Sequence, residues 1–177
     1  MRYLPLLAAM LLLPAAAVAQ PAAATQAAEA SPTTMDEDMT VLAERAVRVT
    51  AANGVTLDYS PESIELVEQR LGKLHDAFRK LQYEPSGKLA SPSDYEIRLM
   101  SLTYGAYIAE VLKRKHGEGT WSYESRLYAG QEVPTFHVGA NRIEMWPQIK
   151  VEKRLRNGPE DNVWHYFQLT LQKLGAK

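Results

Sequence analysis

The chain has 177 residues, 46% hydrophobic and 23% charged, an ordinary balance for a globular protein. Its 20 Lys/Arg face 21 Asp/Glu, a formal charge of −1, which leaves no broad basic field for nucleic acid. It has no cysteine, so disulfides, thiol chemistry, cysteine zinc sites and a lipid-modified cysteine anchor are all excluded.

The N-terminus reads as an export signal. Met1-Arg2 is a short positive start, Leu4 to Leu13 is apolar apart from Pro5, and Ala17-Val18-Ala19 has the small-x-small pattern of a cleavage site. Residues 1–19 are thus predicted to be removed near Ala19-Gln20. The apolar run is too short for a bilayer span, and no later segment reaches that length, so the product is not an integral membrane protein. It is expected to be periplasmic or secreted; in a Gram-negative host the compartment is the periplasm. Taking Arg2 from the 20 basic side chains against 21 acidic ones leaves a mature charge of −2. Residues 20–35 are rich in alanine and proline and read as a disordered tether. Residues 36–177, about 140 in all, suffice for one domain with a real core.

Two readings fit the next stretch. Met39, Leu42, Ala46 and Val49 recur at helical steps behind Asp36-Glu37-Asp38, with Asn53-Gly54 as a left-handed stop. The competing reading is a hairpin pairing Val47/Val49 with Val55/Leu57. Ser60-Pro61-Glu62 then predicts a helix start, followed by Ile64, Val67, Leu71, Leu74, Phe78 and Leu81 on one face. Glu65, Glu68, Gln69, Lys73, Asp76 and Lys80 fill the other. Pro85-Ser86-Gly87 ends it. The next helix, about 94–115 with Ser93 or Asp94 as cap, carries a single charge from Leu99 to Leu112, namely Glu110. Such a helix is buried on nearly every side. Gly105 and Ala109 lie four apart and predict a close neighbour. Lys113 to Gly117 is a cationic finish with a glycine stop.

Thr120–Tyr128 alternates like a strand, and Val133–Val138 and Arg142–Met145 are shorter extended runs, with glycine turns between. In the first, Trp121, Tyr123 and Leu127 share a face. Pro147 opens a basic helix that closes at Asn157-Gly158. Pro159-Glu160-Asp161 starts the last helix, with Val163, Trp164, Phe167 and Leu171 inward. The predicted fold is therefore α+β: helices packed on a small three-stranded antiparallel meander in a single domain.

Candidate chemistry is sparse. Glu110, a carboxylate on a buried helix, has two readings: a catalytic acid or ligand contact, or a structural acid bonded to Arg114, the Trp121 indole or a backbone amide. Tyr107, Trp121, Tyr123 and His116 join Glu110 as candidates for contacting a ligand or partner. The aromatics also read simply as core. His75, His116, His137 and His165 are scattered without metal-ligand spacing, so no metal and no cofactor are expected. As surface or cap histidines they need no function. Gly117-Glu118-Gly119 lies between helix and strand, the wrong order for a dinucleotide loop. Serine-hydrolase and P-loop signatures are absent. Lys150, Lys153, Arg154 and Arg156 form a basic strip, either anion-binding or a solvated face.

Three blocks, Leu57-Asp58-Tyr59-Ser60-Pro61-Glu62-Ser63, Gly105-Ala106-Tyr107-Ile108-Ala109-Glu110-Val111 with Trp121 downstream, and Val151-Glu152-Lys153-Arg154-Leu155 through Asn157-Gly158 to Glu160-Asp161, resemble a bacterial domain family of unknown function. They span about residues 51–168. The resemblance implies a small α+β domain and no catalytic residue or cofactor; Ala109 stands where that pattern often has glycine. The functional expectation is an exported, non-catalytic binding or accessory module for an unknown protein or envelope component, in an immunity-like role for example. The alternative is a cell-envelope hydrolase or carbohydrate-acting enzyme using Glu110.

Overall fold

The computed structural model describes residues 34–82 and 91–175. The export signal, all but the last two tether positions and the expected helix end at Pro85 lie outside the described residues. The first helix begins one residue earlier than the sequence suggests. Helix α1 spans Met35–Ala51, because Thr34 and Glu37 form a reciprocal capping box. Thr34 and Met35 thus belong to the domain and not to the tether.

The helical reading of this stretch holds, with its inward face rotated. Met39, Ala43, Ala46 and Thr50 are buried, while Val49 is exposed. The small side chains win because α1 packs closely on the third helix. The Thr50 hydroxyl reaches the buried Tyr104 hydroxyl at 3.4 Å. Gly54 takes the left-handed conformation, φ 77°.

Helix α2, Ser63–Gln82, buries Ile64, Val67 and Leu71 completely, as its heptad-like spacing requires. It starts two residues beyond Pro61; residues 60–62 form a turn in which Ser60 Oγ accepts from the Ser63 amide. Helix α3, Asp94–His116, carries a Ser93/Glu96 capping box and ends on Gly117 at φ 75°. Tyr104 to Ala109 are all buried, so this helix is the spine of the core.

Strands β1, Gly119–Ser122, β2, Thr135–Val138, and β3, Ile143–Met145, form an antiparallel sheet in the order β1-β2-β3. Trp121, Phe136 and Met145 are register partners and face the core. Thr120, His137 and Glu144 are register partners on the outer face. The strand expected over 120–128 stops at Ser122, because residues 123–134 leave the ladder and fold across that outer face.

Helix α4, Pro147–Asn157, crosses α3 at Gly105. A methyl carbon at Gly105 would lie 2.6 Å from the Gln148 Cα and amide nitrogen, so only glycine permits the approach. A 3₁₀ turn, Pro159–Asp161, leads to α5, Val163–Gly175, which buries Val163 and Phe167. The architecture is α+β, five α-helices with a three-stranded meander, and all described residues belong to one compact unit.

The basic strip on α4 is not a free face. Arg154 turns inward and its Nε donates to Glu68 Oε1 at 2.7 Å, with side chains only 7% and 12% exposed. The other Glu68 oxygen accepts from the Val163 amide at 2.7 Å, a carboxylate seated at the start of α5. Gly72 makes room, since a side-chain carbon there would lie 2.8 Å from Arg154 Nη2. Lys150 pairs with Asp161, and Arg156 with Asp94 and Glu152. Only Lys153 of the strip remains exposed without such a pair among the described residues. His75 is likewise buried, not a surface or cap residue. Its Nδ1–H donates to the Leu155 carbonyl at 2.9 Å, and its Nε2 lies against Gly158. Thus Glu68 joins α2, α4 and α5 through one carboxylate.

Glu68→Gln leaves the Arg154 charge uncompensated, with an expected loss of about 3–5 kcal/mol in urea unfolding. Glu68→Leu combined with Arg154→Met is expected to recover most of it, because no buried charge is then left alone. Equal stability of wild type and Glu68→Gln would show the pair to be unimportant.

Candidate functional site

Tyr107 and Glu110 lie on α3 beside the segment that enters α2. The Tyr107 side chain is buried, and its hydroxyl sits in a hydrogen-bond chain. The Tyr59 amide donates to it at 2.9 Å, and it meets Ser63 Oγ at 2.7 Å. The Ser63 hydroxyl in turn donates to the Ser60 carbonyl at 2.6 Å, so Tyr107 must be the donor to Ser63. Tyr59 has φ 63°, a left-handed conformation unusual for a bulky residue. The Tyr107 bond and a stack of the two rings, centroids 4.9 Å apart, hold it there. Asp58 completes the turn. Its carboxylate accepts from the Ser60 hydroxyl and amide, and these bonds hold it below the ordinary carboxylate range.

Glu110 Oε1 accepts from Arg114 Nε at 2.8 Å, and Arg114 lies over the Tyr59 ring at 3.6 Å. One of the structural partners anticipated for Glu110, Arg114, is therefore the one in place. Glu110 holds the guanidinium over the Tyr59 ring, and the whole group locks the turn at residues 57–63 to α3. Trp121 is on the core face of the sheet, its ring against Phe136, and its amide donates to Asp36 Oδ1. Tyr123 lies beyond the end of β1 and is 52% exposed. His116, six residues past Glu110, falls on another side of the helix. Burial first, then Lys115, pulls its imidazole pKa down, which opposes the charged form expected to suit the helix dipole. Its Nε2 is buried without a partner. None of these five side chains lines either cleft on the outer face of the sheet.

That outer face has a polar assembly the sequence reading missed. Residues 123–134 form a strap pinned by two strand residues. Glu144 accepts from the Arg126 amide at 3.0 Å, from Arg126 Nε at 2.9 Å and from Ser125 Oγ at 3.2 Å. Burial pushes its carboxyl up, but the Arg126 and Ser125 donors outweigh it and leave it below the ordinary range. His137, 6% exposed, meets the Glu124 carbonyl at 2.9 Å and Ser122 Oγ at 3.1 Å through Nε2. Tyr128 packs edge-on against Trp146. A cleft of about 420 Å³ lies among Glu124, Arg126, His137, Arg142 and Glu144. A wider depression of about 530 Å³ adjoins it over Leu127, Ile143 and Trp146. The alternation Thr135-x-His137 was the available signal: polar residues every second position in a strand otherwise committed to the core.

The Ser122–His137 contact does not make a nucleophile and base. A carbonyl only accepts, so Nε2 must carry the hydrogen donated to Glu124, and it cannot take the serine proton. His137 Nδ1 has no partner to orient the ring. Among the described residues no group of three or more His, Asp or Glu could hold a metal ion, and no helix is long and apolar enough to cross a membrane.

Tyr107→Phe is expected to cost about 1–3 kcal/mol, because it leaves the Tyr59 amide without its acceptor and removes the bond to Ser63 Oγ. Glu110→Gln is expected to cost less than about 1 kcal/mol, since Arg114 is 53% exposed. Burial raises the phenol pKa of Tyr107, Tyr59 and Tyr166 above the ordinary 10.0. These groups therefore favour folding fully below pH 10.0, and that contribution is lost as pH rises through the raised values. Unfolding measured from pH 9 to 11 checks this: the alkaline loss should be smaller in Tyr107→Phe. A larger cost for Glu110→Gln than for Tyr107→Phe would reverse the assignment of the lock.

No protein-family profile, curated protein or solved structure matches the chain.

Proposed function

We propose that the chain is an exported, non-catalytic binding or accessory module, and that it meets its partner through the strap at residues 123–134. The observation that carries this reading is the outward Tyr123 and Leu127, 52% and 67% exposed, on a loop whose base is tied to the sheet. Tyrosine and arginine are enriched at binding hot spots, and Arg126 and Arg142 line a cleft beside the strap. A loop on a rigid scaffold is the usual place for recognition. The partner is a protein or an envelope component, and an immunity-like blocking role is one form of this. The export pattern at residues 1–19 supports a periplasmic or secreted location. The three blocks that resemble a bacterial domain family support the same small-domain reading. Two of them meet at the Tyr59–Tyr107 stack, and the third supplies core residues Val151 and Leu155.

The test places a photocrosslinking residue at the exposed position 129 of the full chain, expressed in its host. The periplasmic fraction should contain protein beginning at Gln20 and one specific crosslinked partner. Tyr123→Ser with Leu127→Ser should abolish the crosslink and leave the melting temperature within about 2 °C, as expected of exposed sites. An unchanged crosslink would contradict the strap as the binding surface. Turnover of an envelope substrate that vanishes in Glu110→Gln would contradict the non-catalytic reading.

A further inference from the structure

A groove of about 300 Å³ lies where α1, α2 and α3 meet, away from the strap. Its apolar lining is Val49 from α1, Leu74 from α2 and Leu99 and Met100 from α3, beside the buried Thr103 and Tyr104. Two guanidinium groups line it, Arg45 from α1 and Arg70 from α2. Arg48, Arg114, Arg126, Arg154 and Arg156 each meet a carboxylate. Among the described residues Arg45, Arg70, Arg79 and Arg98 do not, and of these Arg45 and Arg70 line this groove. Glu96 also lines the groove. Its Oε2 is already bonded to the Ser93 amide at 2.7 Å and hydroxyl at 2.8 Å, and these bonds hold its carboxyl below the ordinary range. Its charge is committed to the start of α3.

The edge of a guanidinium without a carboxylate partner is shaped to receive a planar anion. Two cations against one committed anion leave a surplus of a single positive charge. An apolar floor beneath that surplus fits a molecule with one negative charge and a hydrocarbon body. The volume is at the small end for a ligand pocket, which limits that body to a short chain.

We propose that this groove binds a small amphipathic monocarboxylate, with its hydrocarbon chain on Leu74, Leu99 and Met100 and its carboxylate shared by Arg45 and Arg70. The carboxylate meets the outer edges of two guanidinium groups that have no carboxylate of their own among the described residues, and the chain covers apolar surface that water otherwise wets.

The probe is octanoate below its micellar concentration, titrated into the full chain with labelled leucine and methionine methyls. Saturable shifts at Leu74, Leu99 and Met100 are expected. Octan-1-ol, which has the chain without the charge, and acetate, which has the charge without the chain, should bind at least about tenfold more weakly. Arg70→Gln should weaken octanoate about tenfold and leave octan-1-ol unchanged. If Arg70→Gln fails to fold, the exposed Arg45→Gln gives the same comparison. Octan-1-ol binding as tightly as octanoate, a folded arginine variant with unaltered octanoate affinity, or no saturable shift at these methyls would each overturn the proposal.

Discussion

The structure depends on one close approach. The backbone of Gln148, in the first turn of α4, lies where a side chain at Gly105 would stand. With glycine there, α4 lies directly on the spine helix and delivers Val151 and Leu155 to the core. The same placement aims Arg154 at Glu68, and Glu68 then receives the first amide of α5. Three helices are thus positioned in sequence from one missing methyl group. A glycine inside a helix costs about 1 kcal/mol in propensity, and this packing offsets it.

The distribution of charge follows from that framework. Most cations of α4 are spent on internal pairs, so the helix that looks most basic offers little to an external anion. Glu110 is spent in the same way on Arg114. The groups left outward are elsewhere, on the strap and in the groove between α1, α2 and α3. In the proposed function recognition falls to these surfaces, and the carboxylate of the spine helix is paired with Arg114.

Local periodicity made much of this fold legible. The faces of α2 and α3, the glycine stop at Gly117 and the opening of α4 at Pro147 all follow from spacing and capping. The need for a close neighbour at Gly105 was equally readable. Pairings across many residues were not. Glu68 sits among polar neighbours on α2, and nothing local shows that an arginine 86 positions away will reach it. Gly72, an unexplained glycine within a helix, was the overlooked hint of that approach. The inward face of α1 was misplaced because hydrophobicity favours Val49, whereas close packing favours Ala43 and Thr50. The strap was hidden because residues 123–128 alternate like a strand, and only the cross-sheet bonds of Glu144 and His137 show that they leave the ladder. The aromatic cluster was half legible: Tyr107 stood out, but its partner Tyr59 is recognisable only from its left-handed backbone.

The most direct test of the Gly105 contact is the unfolding free energy of Gly105→Ala in urea. Helix propensity alone predicts a gain of up to about 1 kcal/mol. Displacement of the α4 backbone predicts a net loss of about 1–3 kcal/mol instead, as overpacking does in other cores. A variant as stable as the parent, or more so, with the same denaturant slope, would contradict the account.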